Sequence, residues 1–154
     1  MQISNASNDE DERAVAALLD AVSFITTALR ARPRREALVV ISCPRLSVLT
    51  QRVVAAFGFQ IYTAGSAAEA APTAASRRFD LIVLEANTAA AHWIGRIRAL
   101  PEHLGAAPIL AVSGQEDLRE ALSDAGADGF VCEPVTPSRM IDVLALLLGA
   151  RAEI

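Results

Sequence analysis

Five short apolar runs recur along the chain, and each is followed by a stretch with helical periodicity. The runs cover residues 37–41, 59–63, 80–85, 108–113 and 129–132. Apolar residues fill them almost without interruption, so they read as strands buried on both faces. Such strands belong to parallel sheets with helices on either side. The intervening stretches place helices over residues 44–57, 66–76, from about 91 to 100, 115–125 and 137–148. Gly58, Gly126 and Gly149 stand where three of them should stop, and Pro137 sits in the first turn of the last. Strand and helix in strict alternation predict an α/β fold, a doubly wound five-stranded parallel sheet.

An extra N-terminal helix precedes this pattern, over residues 10–31. Val15, Leu18, Leu19, Val22, Ile25 and Leu29 fall on one face. That stripe is too apolar to stand alone in water, so it packs on its own domain, pairs in a homodimer or continues a coiled coil from an upstream domain, the first two being preferred. The expected division is therefore an extension over 1–36, a sheet domain over 37–150 and a tail over 151–154. A chain of 154 residues suffices for one sizeable core. Its net charge of −4 argues against nucleic acid as a partner. No apolar stretch is long enough to span a membrane, and the N-terminus has no signal-peptide pattern, so a cytoplasmic protein without a membrane partner is expected. Two cysteines, Cys43 and Cys132, make no disulfide framework and read as small buried residues ending apolar runs.

The third run ends in Glu85. In open α/β sheets, sites are built at the carboxyl ends of the strands, so this carboxylate marks the functional end. Three segments then share one pattern. Ala125-Gly126-Ala127-Asp128-Gly129-Phe130-Val131 is followed by Glu133-Pro134-Val135. Phe79-Asp80-Leu81-Ile82-Val83-Leu84 precedes the acidic position, and Leu38-Val39-Val40 comes shortly before Pro44. Together they resemble the receiver domain of two-component response regulators, over about residues 38–148. The resemblance implies the strand order 2-1-3-4-5.

It also implies a chemistry. Receivers hold Mg²⁺ on an acidic pair after the first strand and phosphorylate an Asp ending the third. A Ser or Thr ends their fourth strand, and a Lys precedes the Pro after the fifth. Metal and cation neutralise the charge of the phosphoryl group. Here Ile41 and Ser42 stand at the acidic pair, Glu85 at the Asp, Ser113 at the hydroxyl and Glu133 at the Lys. An isoleucine cannot ligate a hard cation. The resemblance is therefore to a degenerate receiver that needs no metal or cofactor, is no enzyme and acts without phosphorylation. Its implied partner is a protein: a histidine kinase, another receiver or an output domain. Phe130 matches the family's aromatic switch. Leu118, Leu122, Arg139 and Asp142 fall on the face receivers use for contacts.

Several readings stay open at this point. Glu85 could reach toward Ser113 and imitate a phosphoaspartate, or lie in solvent as a relic. Glu133 opposes it, with Arg45 as a possible bridge. The arginines at 32, 34 and 35, at 77 and 78, and at 96 and 98 could bind a nucleotide such as a cyclic dinucleotide. That alternative predicts a positive pocket, whereas an interaction module predicts an apolar patch. A hydrolase using Ser113 with His92, or a cysteine, is the weakest reading. No Gly-x-Ser-x-Gly elbow surrounds Ser113, and no base neighbours either thiol in sequence.

Overall fold

The computed structural model describes residues 10–21, 35–87 and 89–152, without the side chains of 103 and 150–152. The chain divides into two compact units, Met1–Arg34 and Arg35–Ile154. In the first unit residues 10–21 are helical, and Val15, Leu18 and Leu19 are exposed. Val22, Ile25, Leu29, Arg32 and Arg34 lie outside the described residues.

The second unit holds one five-stranded sheet. Its strands are β1 (Arg35–Val40), β2 (Phe59–Ala64), β3 (Leu81–Glu85), β4 (Ile109–Ser113) and β5 (Gly129–Cys132). All pairings are parallel, and the order is β2-β1-β3-β4-β5. The helices are α1 (Pro44–Ala56), α2 (Ala67–Ser76), α3 (Ala90–Arg98), α4 (Arg119–Ala125) and α5 (Pro137–Ala152). A single turn, Glu102–Gly105, separates α3 from β4.

Alternation along each strand sorts the core into two layers. Leu38, Val40, Ile82, Leu84, Ile109 and Ala111 pack with Trp93, Ile94, Ile97 and Leu122 on the α2–α3–α4 side. Val39, Leu81, Val83, Leu110 and Val112 pack with Leu46, Val53, Met140 and Leu144 on the α1–α5 side. β4 is buried throughout and β3 as far as Leu84, whereas the edge strand β2 mixes buried and exposed residues.

Several boundaries differ from the sequence expectation. β1 begins at Arg35, because Glu36 is held there: its amide donates to Asp80 Oδ2 at 2.9 Å and its carboxylate takes Arg77 at 2.7 Å. The fourth helix opens as a 3-10 turn over Glu116–Leu118. α5 runs through Gly149, which lacks the positive φ that ends α1 at Gly58 (91°) and α4 at Gly126 (121°). A helix stops at glycine only where the chain turns into the left-handed region.

Arg98 ties the far end of α3 to the loops around β4. Its guanidinium donates to the carbonyls of Gly105 and Ala107 at 2.6 Å and of Gly126 at 2.9 and 3.1 Å. It also pairs with Asp128 at 2.7 Å, and Asp128 Oδ2 accepts the Ile109 amide at 2.9 Å. A Cβ at Gly126 would meet Arg98 Cγ at 2.8 Å, so this glycine serves both its φ and the guanidinium.

Candidate functional site at the carboxyl end of the sheet

Strand register levels the predicted residues. Val40 pairs with Leu84, Glu85 with Val112 and Ser113 with Cys132. Ile41 and Ser42 follow β1, Glu85 ends β3, Ser113 ends β4 and Glu133 follows β5, all at the sheet's carboxyl end. Their side chains do not form one cluster.

Glu85 is half-buried and turned toward β1. Its Oε2 accepts the Ser42 amide at 2.9 Å and the Cys43 amide at 3.2 Å, and the Ser42 hydroxyl donates to it at 3.2 Å. Those amides lie immediately before Pro44, the first residue of α1. A carboxylate there answers free helix-terminal donors and the positive end of the helix dipole. α1 has no acid in its first turn, and Cys43 provides no side-chain cap. Glu85 supplies both from another strand. Neither sequence expectation holds: Glu85 does not bond Ser113, and it is not idle in solvent.

Ser113 is buried, and its hydroxyl accepts the Gln115 amide at 3.1 Å. Glu133 is exposed and leans over the β4 loop, where its Oε2 would lie 3.1 Å from a Cβ at Gly114. Among the described residues Arg45 bridges neither carboxylate. Ile41 is buried in the α1–α5 core layer, and its amide donates to Ala64 at 3.1 Å. A magnesium ion wants several hard oxygen donors. An alkyl side chain at 41 and a carboxylate already committed to amides do not fit one. Among the described residues no three His, Cys, Asp or Glu are grouped for a metal.

Beyond β4, Arg119 lies over the Phe130 ring at 4.7 Å and pairs with Glu116 at 2.6 Å. The Arg119 hydrogen bond holds the Glu116 carboxyl below its ordinary range. Burial, then Glu116, pushes the Cys132 thiol up, which suppresses the thiolate a nucleophile needs. Cys43 is exposed at the helix start and Cys132 only half-buried, so the expected burial of the cysteines is incorrect. Both follow the end of sheet pairing, where the core layers stop. Leu122 is 1% exposed, so it belongs to the core and cannot be a contact residue. Leu118 packs half-buried beside it, while Arg139 and Asp142 are exposed.

Among the described residues the arginines do not gather into one positive pocket. Arg98 is consumed as described, and Arg77 pairs with Glu36 and stacks over Tyr62 at 4.4 Å. Arg35 and Arg78 share a groove of about 700 Å³ with Asp80 and Glu102, so its charge is mixed. The apolar alternative is present: a groove of about 530 Å³ along α1, floored by Pro44, Val48, Leu49, Val53 and Pro137.

No family model and no curated protein matches the sequence. Solved structures do. The chemotaxis response regulator CheY4 of Vibrio cholerae aligns with a TM-score of 0.67 at 19% identity, over 75% of this chain and 99% of that one. The fold is the receiver fold. A CheY-like receiver domain protein from Methanospirillum hungatei gives 0.67 at 16% identity, over 79% and 98%. The receiver domain of a sensor histidine kinase from Pseudomonas aeruginosa gives 0.64 at 20% identity, over 76% and 99%. That structure carries a coordinated magnesium ion in its active-site cleft. The receiver fold expected from the three sequence segments and the 2-1-3-4-5 order both stand.

The sequence reasoning missed the partner of Glu85. A signal was available: Ser42-Cys43-Pro44 opens a helix with no acid or good cap nearby, so a carboxylate from elsewhere was called for.

Proposed function

We propose that this chain is a degenerate receiver, a protein-interaction module of a bacterial two-component or phosphorelay pathway that works without phosphorylation. One observation carries the reading: the Glu85 carboxylate is bound to the Ser42 and Cys43 amides. It occupies the β1–α1 loop with the protein's own negative charge. A phosphoryl group arriving there would meet two carboxylates, Glu85 and Glu133, with neither metal nor lysine to offset them. The loop is thereby held in one arrangement without a ligand.

The module proper spans about 37–150, preceded by the helical extension and followed by a short tail. It works in the cytoplasm, catalyses nothing, and its partner is a histidine kinase, a receiver or an output domain. Incubation with acetyl phosphate and Mg²⁺, read by intact mass, tests this. The expected result is an unmodified chain; a phosphoryl adduct on Glu85 or Ser113 would overturn the reading.

A further inference from the structure

The strand order reverses between β1 and β3, and a pocket opens there at the carboxyl ends of the two strands. Open α/β sheets take ligands at such switch points. The pocket holds about 440 Å³, within the range of small-molecule sites. Val40, Leu84, Ala86 and Ala90 give it buried apolar walls, and the first residues of α2, Ala67 and Ala68, also line it. Ser42, Glu85 and Asn87 supply polar groups. Neither Ser113 nor Glu133 is among the described residues that line it, and no basic residue is.

Helix starts usually favour anions. Here the starts of α1, α2 and α3 are each answered from within the chain. Glu85 Oε2 takes the Ser42 and Cys43 amides ahead of α1. Ser66 Oγ accepts the Glu69 amide at 3.1 Å, and Glu69 Oε2 accepts the Gly65 amide at 2.9 Å, at the start of α2. Asn87 Oδ1 accepts the Ala89 amide at 3.0 Å ahead of α3. What is left over is acceptor capacity on a negative charge. Among the described residues Glu85 Oε1 takes only the Ser42 hydroxyl, at 3.3 Å, whereas a carboxylate oxygen can accept two bonds.

We propose that this pocket binds a small organic cation, an amidinium or primary ammonium on an apolar body, which donates to Glu85 Oε1. The inference goes beyond the interaction-module reading and does not depend on it. With no guanidinium in the lining, the pocket is not the nucleotide site that the arginines suggested in sequence. One spare carboxylate oxygen is too few donors for magnesium, but it suffices for one charge-assisted hydrogen bond among apolar walls. The amides stay on Oε2, so the β1–α1 loop keeps its arrangement when the cation enters.

The test is a set of nitrogen–proton correlation spectra of the full chain, titrated with benzamidine and benzylamine, with neutral benzamide and with anionic benzoate. The expected result is saturable shifts from the two cations at the amides of Ala67, Ala68, Ala86 and Asn87, with a Kd on the order of 1 mM. Benzamide binds at least about tenfold more weakly and benzoate is silent. Glu85→Gln keeps an acceptor but removes the charge, and weakens the cations by about tenfold. Ala68→Phe, at an exposed lining position, crowds the pocket and abolishes binding, while shifts remote from α2 stay in place. Glu120→Gln, an exposed acid on α4, changes nothing. Benzoate binding at the same amides, or benzamide binding as tightly as benzamidine, overturns the cation assignment. No saturable shift at these amides, or binding indifferent to both Glu85→Gln and Ala68→Phe, overturns the pocket. Equal weakening by Glu120→Gln reduces the effect to the chain's net charge and overturns it too.

Discussion

The two ends of the sheet use carboxylates differently. Near the amino ends of the strands, Asp128 and Glu36 each face a guanidinium, of Arg98 and Arg77, and the Asp128 carboxylate also accepts the Ile109 amide. At the carboxyl end, Glu85 meets backbone amides and a hydroxyl, with no cation bonded to it. The first arrangement fixes loops by charge-assisted, directional pairs. The second also fixes a loop, but through neutral donors, and among the described residues no positive side chain is bonded to Glu85. The comparison separates scaffold from site. The same residue type stabilises at both ends; in the proposed reading, the missing cation and the missing metal donors at the carboxyl end are what exclude phosphoryl chemistry.

The comparison is broken most severely at Arg98. Arg98→Ala removes the donors serving the carbonyls of Gly105, Ala107 and Gly126 and strands Asp128 without its guanidinium. A loss of about 3 kcal/mol is expected in denaturant unfolding. Arg98→Lys should recover only part, since an ammonium cannot reproduce the planar fork. A neutral Arg98→Ala would show that the amino-end pairs are ornamental.

Glu85 gives a smaller effect of the same kind. Glu85→Gln keeps an acceptor for the Ser42 and Cys43 amides but removes the anion from the start of α1. The expected cost is about 0.5–1 kcal/mol, with chemical-shift changes concentrated at Ser42, Cys43 and the first turn of α1. Unchanged stability and unchanged shifts would mean that the contact does not persist in solution.

Acid titration sharpens the contrast with the least expected change. The Arg77 hydrogen bond holds the Glu36 carboxyl below its ordinary range. Its folded pKa is thus depressed, so the stability it contributes is fully present above the unfolded value. That contribution is lost as pH falls through the lowered folded one. The pair is exposed and the slope will be shallow. Glu36→Gln should flatten it, with parent and variant converging at the acid end. Parallel curves would remove the pair from the account.

The sheet was legible because its signal is local and redundant. Five buried runs, each with its helix, leave one class of fold, and 125–131 with 79–84 carried the receiver likeness. Leu122 was misplaced as a contact residue because helical spacing alone does not distinguish a leucine under α4 from one on it. The Glu85 contact joins residues 42–43 to 85, and no local pattern reports which way a strand-end side chain turns. The groove on α1 was hidden for the same reason. Helical spacing turns Leu46, Leu49, Val53 and Val54 inward and leaves Val48 outside, but only the packed helix shows that Pro137 closes a groove beside it.

The most direct test of the central claim is a nitrogen–proton correlation spectrum of the full chain, titrated with Mg²⁺ and beryllofluoride. With Glu85 holding the β1–α1 loop, the amides of Ser42, Cys43, Glu85 and Ser113 should not shift. Saturable shifts at those amides would show that the site takes a phosphoryl-like group, and would contradict the account.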